Sequence, residues 1–178
     1  MERKKLLFYL VATLIFALSS CNNKKQTYNF YVNLDVVIQE SDSIRVFYKT
    51  DGKINFNEKD AFWTKVKGSK KNQVINIKFP KNILPNQFRI DFGNNPIQPE
   101  IIINKLECVY KNNSFVLKGR EVYLLLRVDE NNTMLDKDLG LLKRKNLKQK
   151  NGPSLYPLGN KLKLRLEELT NKTKTDNR

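Results

Sequence analysis

The chain has 178 residues and a mass of 20.9 kDa, which is enough for one ordinary domain with a sizeable core. It carries 33 Lys and Arg against 18 Asp and Glu, which gives a net charge of +15. It has no histidine and only two cysteines, so His-based catalytic triads, His-ligated zinc and cysteine-rich zinc sites are excluded.

Residues 1–20 have the pattern of an export signal. A positively charged start precedes an apolar stretch from Leu6 to Leu18, which is shorter than the roughly 20 residues that a membrane-spanning helix needs. The run Leu18-Ser19-Ser20-Cys21 resembles the lipobox of bacterial lipoproteins, of a Bacteroidetes-like type. In that family the cysteine thiol receives a diacylglyceryl group, and cleavage makes the cysteine the new N-terminus. The alternative is an ordinary signal peptide followed by a chance cysteine.

Acylation of Cys21 has consequences for the rest of the chain. Loss of residues 1–20 removes three basic residues and one acidic residue, which leaves a net charge of +13. Cys108 is then the only other cysteine, so no intramolecular disulfide is expected, and its apolar surroundings predict a small buried side chain. Residues 21–26 are polar and are interpreted as a tether between lipid and domain.

From Thr27 to about Val128 the hydrophobic pattern has a period of two, which is typical of half-buried strands. Turn-forming residues separate the strands, and Asp51-Gly52 is a hairpin-type signal. No clear amphipathic helix intervenes. The pattern predicts an all-β fold, an antiparallel β-sandwich of jelly-roll type over residues 27–130. The predicted strands cover residues 28–36, 43–49, 62–67, 73–79, 87–92, 100–110, 114–117 and 121–128.

Residues 131–178 are interpreted as a basic C-terminal extension. Residues 134–149 mix leucines with basic side chains and predict a loop with a helical turn. Residues 158–169 place leucines at helical spacing, although Leu162, Leu164 and Leu166 also alternate as in a strand. A short helix is favoured, because Glu167-Glu168 has poor strand propensity.

The segment Phe88–Gly93 reads Phe-Arg-Ile-Asp-Phe-Gly, and the β-branched run Ile101–Ile103 follows it. This order resembles jelly-roll modules appended to bacterial polysaccharide-handling and glycosyltransferase-associated membrane proteins. Those modules look like carbohydrate-binding jelly rolls, so the resemblance implies such a fold over residues 28–118. In this chain Phe92-Gly93 replaces the more usual Pro-Gly.

Three residues are candidates for ligand contact. Arg89 and Asp91 lie two apart on one face of a strand and form either a polar pair at a ligand or an ion pair that braces the sheet. Trp63, the one tryptophan, either stacks on a sugar ring or packs in the domain, since one of Phe62 and Trp63 must face outward. The carboxylates are scattered and no metal or nucleotide motif occurs, so no enzyme activity, metal or cofactor is expected.

The sequence therefore predicts a membrane-anchored lipoprotein of the bacterial cell envelope, with a non-catalytic module that binds glycan or assists envelope assembly. One alternative is a structural or protein-interaction lipoprotein without a sugar ligand. Another is a binder of anionic polymers through the basic C-terminus, since residues 143–178 hold 11 basic and 3 acidic residues. Expected partners are the membrane, through the lipid, and a polysaccharide or envelope protein, whereas nucleic acid is not expected.

Overall fold

The computed structural model describes residues 29–175, with side chains described as far as residue 171. The predicted export signal over residues 1–20, the acylation site at Cys21 and the tether over residues 21–26 lie outside the described residues. Within the described part of the chain, no helix is long and apolar enough to cross a membrane.

Two antiparallel sheets, one of six strands and one of five, confirm the predicted all-β fold as an antiparallel β-sandwich. The strands are β1 (Phe30–Ile38), β2 (Asp42–Lys49), β3 (Ala61–Val66), β4 (Ser69–Lys78), β5 (Gln87–Phe92), β6 (Glu100–Tyr110), β7 (Asn113–Lys118), β8 (Leu126–Val128), β9 (Thr133–Asp136), β10 (Leu141–Arg144) and β11 (Ser154–Pro157). The six-stranded sheet has the order β4-β1-β6-β10-β9, with β7 also paired to β6. The five-stranded sheet has the order β3-β2-β5-β11-β8.

The core lies between the two sheets and follows from the alternation in the sequence. Along β1, every second side chain from Phe30 to Ile38 is buried, and the residues between them are half-buried. Each fully buried apolar side chain of this kind contributes about 1.5–3 kcal/mol. Facing side chains are supplied by both sheets, among them Leu34, Ile103, Leu106, Ile44, Phe88, Ile90 and Leu155, all 1% exposed or less.

Helix α2 (Lys161–Thr175) packs against the sandwich and confirms the helix favoured by the sequence; it contacts β5, β6 and β7. Leu162, Leu166 and Leu169 are buried, whereas Leu164 is 62% exposed. A period near 3.6 places the first three on one face and Leu164 on another, which a strand would not do.

The prediction of a strand over residues 121–128 is wrong for residues 121–125. Helix α1 (Val122–Leu125) occupies that part, after a 3-10 turn over Gly119–Glu121, and only Leu126–Val128 is extended. The Glu121 carboxylate accepts a hydrogen bond from the backbone N–H of Lys118 at 2.9 Å, which stabilises the start of this turn. A short continuous apolar run fits a helical turn and a buried strand equally well, so periodicity alone could not separate them.

The loop predicted over residues 134–149 is also wrong, because β9 and β10 form an antiparallel hairpin there. Gly140, at the turn, has a φ of +63° and its carbonyl accepts a hydrogen bond from the Ile103 N–H at 2.9 Å. β10 extends the six-stranded sheet and β11 joins the five-stranded sheet. Residues 133–157 therefore belong to the sandwich itself rather than to an extension that follows it.

Candidate functional site

The outer face of the five-stranded sheet carries a row of arginine and aromatic side chains, which we name the arginine–aromatic row. In spatial order its members are Trp63, Arg45, Phe47, Arg89, Tyr156 and Arg127. They come from β3, β2, β5, β11 and β8, so the row crosses every strand of this sheet. Arg45 lies opposite Trp63 on one side and opposite Asp91 on the other in the strand register, which brings together residues distant in sequence.

Asp91 lies between Arg45 and Arg89 of the row and is only 6% exposed. Its two carboxylate oxygens accept hydrogen bonds from Arg89 Nε at 2.6 Å and Arg89 Nη2 at 2.8 Å. Arg45 Nη2 lies 3.4 Å from Asp91 Oδ2. The pair at positions 89 and 91 is therefore an ion pair within the sheet, and it also fixes the guanidinium of a second arginine.

Arg45 links this ion pair to Trp63. The guanidinium carbon of Arg45 lies 5.0 Å from the centre of the Trp63 ring, within the range of a cation–π interaction. Trp63 faces outward with half of its surface exposed, whereas the adjacent Phe62 packs against the core. The three residues proposed from the sequence, Trp63, Arg89 and Asp91, thus lie on one continuous surface joined by Arg45.

The remaining members of the row continue the contacts between guanidinium groups and aromatic rings across the sheet. The Arg89 guanidinium carbon lies 4.8 Å from the Phe47 ring centre and 4.3 Å from that of Tyr156. Arg127 stacks on Tyr156 at 5.2 Å. Burial raises the pKa of the Tyr156 hydroxyl, against the opposing effect of the positive charge of Arg89. Aromatic rings and guanidinium groups therefore alternate along the row.

The loop between β2 and β3, over residues 50–60, covers part of the row. Its Phe56 ring lies 6.4 Å from the rings of both Phe47 and Tyr156. The Asn57 side chain caps a 3-10 turn over Glu58–Asp60 and accepts from two of its N–H groups. Glu58 then accepts two hydrogen bonds from Arg45 Nη1, at 2.9 and 3.0 Å. The loop thus delivers a second carboxylate to Arg45.

Sequence reasoning missed Arg45, Phe47, Tyr156 and Arg127 as members of this surface. A signal for Arg45 was present, since it alternates with the apolar Ile44 and Val46 of a predicted strand and so had to face outward. Its partners depend on which strands are neighbours, and that information is absent from the local pattern.

Both carboxylates of the site, Asp91 and Glu58, are engaged by arginine. Cys108 is fully buried, and burial raises its pKa, so its thiol is inert. Among residues 29–175, no group of three or more potential ligand side chains is placed to hold a metal ion.

Comparison with known proteins does not place the chain in a family. No family model matches it, and no curated protein or solved structure is significantly similar to it.

Proposed function

We propose that the protein is a non-catalytic glycan-binding module of the bacterial cell envelope, held at a membrane by an acylated Cys21. The observation that carries the proposal is the half-exposed Trp63 ring beside Arg45, whose guanidinium is bound to Glu58 and Asp91. The C–H face of a pyranose ring packs on an aromatic ring, while guanidinium and carboxylate groups bind its hydroxyls. The row offers both kinds of contact on one surface.

The fixed geometry of the row supports binding without large rearrangement. Arg45 is held by two carboxylates, and Arg89 makes two parallel hydrogen bonds to Asp91. Ordering a free arginine on binding costs about 0.5–1.5 kcal/mol of side-chain entropy. Since these guanidinium groups are already ordered, a ligand avoids much of that cost.

The proposed anchor keeps the domain close to the membrane. The segment between Cys21 and the start of β1 at Phe30 contains eight residues, and its fully extended reach is about 30 Å. A module tied at that distance samples the layer of envelope polysaccharide nearest to its membrane. The proposal for the anchor is tested by Cys21→Ser, which we expect to move the protein from the membrane to the soluble fraction with loss of acyl mass. If this variant stayed at the membrane, the proposed anchor would be contradicted, but the proposal of glycan binding would not be affected.

The alternative of an anionic-polymer binder acting through the C-terminus receives less support. Lys143, Lys163 and Arg165 form ion pairs with Glu100, Glu167 and Glu168. Arg144 is 6% exposed and donates to backbone carbonyl groups of Asn95, Gln149 and Asn151. These contacts reduce the positive charge that residues 143–178 present to a polymer.

The binding proposal is tested on a glycan array with the wild-type chain, Trp63→Ala and a matched control. Leu164→Ala serves as the control, because Leu164 is an exposed apolar residue (62%, against 50% for Trp63) on α2, which contributes no member of the row. We expect Trp63→Ala to weaken binding by between about fivefold and about 150-fold, which corresponds to about 1–3 kcal/mol for an aromatic contact. Leu164→Ala should bind as the wild type does.

A thermal melt accompanies each array measurement, so that unfolding is not mistaken for loss of contact. Trp63 is half-exposed and is not in the core, so its alanine variant should stay folded. The absence of any bound glycan, or equal binding by folded Trp63→Ala, would overturn the proposal in favour of a structural or protein-interaction lipoprotein.

A further inference from the structure

A cleft of about 160 Å³ lies on the side of the sandwich opposite β3 and β4. At this side, the edge strand β8 of the five-stranded sheet contacts the edge strand β9 of the six-stranded sheet. The cleft is lined by apolar side chains from both sheets and from the segment after β11: Leu126, Val128, Leu135 and Leu158. A cavity of about 150 Å³ with such a lining holds a benzene-sized group, so the cleft has room for a small hydrocarbon body.

Tyr123 of α1 also lines this cleft. The residue is only 9% exposed, and its hydroxyl is buried without a hydrogen-bond partner among the described residues. Burial raises the pKa of this hydroxyl, so it is a protonated donor at neutral pH. Buried polar groups are nearly always paired, and an unpaired donor beside an open cleft is a place for a ligand acceptor.

The charged side chains that line the cleft are Arg127, Lys137 and Glu130, which makes the cleft positive by one charge. Neither Arg127 nor Lys137 forms an ion pair within residues 29–175, and Arg127 is held in place by stacking on Tyr156. A ligand with a single negative charge would therefore find two unpaired cations and a hydroxyl donor around one small apolar space.

We propose that this cleft binds a small monocarboxylate with a hydrocarbon body of about six carbons or one aromatic ring. The hydrocarbon contacts the leucine side chains, and the carboxylate accepts a hydrogen bond from Tyr123 and is balanced by Lys137 and Arg127. This site lies at the edge of the five-stranded sheet opposite Trp63 and shares Arg127 with the arginine–aromatic row, but it does not depend on glycan binding.

The test uses the full chain carrying Cys21→Ser, so that neither an acyl group nor detergent competes for the cleft. Hexanoate is the probe, and 1-hexanol and hexylamine are comparators of equal length with a neutral and a positive head. Binding is followed through the backbone amide shifts of residues 126–128 and 135–137 in NMR titrations. We expect saturable shifts with hexanoate, weaker binding of 1-hexanol and the weakest binding of hexylamine.

Two variants separate the hydroxyl from the charge. Tyr123→Phe keeps the ring and should weaken hexanoate binding by about tenfold, because a hydrogen bond to a charged acceptor is lost. The same variant should not lower the melting temperature of the free protein, since the hydroxyl has no hydrogen-bond partner within residues 29–175. Lys137→Gln should weaken hexanoate binding and leave 1-hexanol binding unchanged.

Lys70→Gln is the matched control, because Lys70 is an exposed lysine on β4 at the opposite edge of the six-stranded sheet. It should bind hexanoate as the parent chain does, and so should Trp63→Ala. Equal binding of all three probes, no saturable shift with hexanoate, or full affinity in Tyr123→Phe would each overturn the proposal. The last result would mean that the Tyr123 hydroxyl is satisfied by water only.

Discussion

The outer faces of the two sheets satisfy their polar side chains in different ways. On the six-stranded sheet, neutral amides bond to one another: Asn76 donates to Asn33 at 2.7 Å, and Asn104 donates to Asn72 at 2.8 Å. On the five-stranded sheet, two arginines share the carboxylate of Asp91. Asn33 also donates to the Glu107 carboxylate, but no arginine takes part in these amide contacts. The arginine contacts of the five-stranded sheet hold charged groups beside the exposed Trp63 ring. The proposal of a glycan site on the five-stranded face rests on this difference.

The largest difference between the two faces is expected in the free energy of unfolding when one carboxylate on each face is replaced by the amide of the same shape. Asp91→Asn leaves Arg45 and Arg89 without their shared anion and should lower the free energy of unfolding by about 3 kcal/mol. Glu107→Gln on the six-stranded face keeps an oxygen that accepts from the Asn33 amide and loses only the charge of that acceptor. It should therefore change the free energy of unfolding by no more than about 0.5 kcal/mol. Urea unfolding measures both, and equal losses would show that the two faces do not differ in this way.

A smaller effect is expected from Arg45→Lys, which keeps the charge but replaces the planar fork by a single ammonium. Lysine cannot keep the paired contacts with Glu58 and Asp91 while covering the Trp63 ring, so stability should fall by about 1 kcal/mol. Arg120→Lys is the control, because the Arg120 side chain is 81% exposed and its ion-pair contact with Asp138 is long, at 4.0 Å. Both variants are compared by urea unfolding, and no difference between them would mean that the fork of Arg45 has no special role.

The smallest effect concerns the pH dependence that Tyr156 gives to the five-stranded face. Burial raises the pKa of its hydroxyl, while charges of both signs surround it: Arg89 and Arg127, Asp91 and Asp129. A raised pKa means that the folded state holds the proton more tightly than the unfolded state. The resulting stability is complete below the unfolded pKa of about 10 and is lost as pH rises above it.

This prediction is checked by comparing the wild type with Tyr156→Phe. The difference between their free energies of unfolding should be constant from neutral pH to about pH 9 and should then shift in favour of the variant above pH 10. A shift toward the wild type at high pH would mean that the arginines, rather than burial, dominate the environment of Tyr156.

Much of the sandwich could be predicted from the sequence, because its longer strands bury one face and alternate clearly. The alternation predicts β5 and β6 with their observed bounds, over 87–92 and 100–110. The hairpin of β9 and β10 could not be predicted, since each strand has four residues and too few apolar side chains to show a period. α1 was missed because Val122–Leu125 is apolar throughout.

The candidate site was predictable only in part, for a related reason. Arg89 and Asp91 lie side by side on one face of the same strand, so their spacing is sufficient to predict that they pair. The contacts of Arg45 with Trp63 and Asp91 depend on the pairing of β2 with β3 and with β5. Such pairing is set by the whole sandwich, and no local pattern in the chain encodes it.

The central claim, that a glycan packs on Trp63, is tested most directly by the fluorescence of this residue. Trp63 is the only tryptophan of the chain and is half-exposed, so its emission reports on this surface alone. Titration with the strongest glycan of the array should shift the emission to shorter wavelength and protect the ring from quenching by acrylamide. Binding detected by calorimetry with no change in emission or quenching would place the glycan elsewhere and contradict the claim.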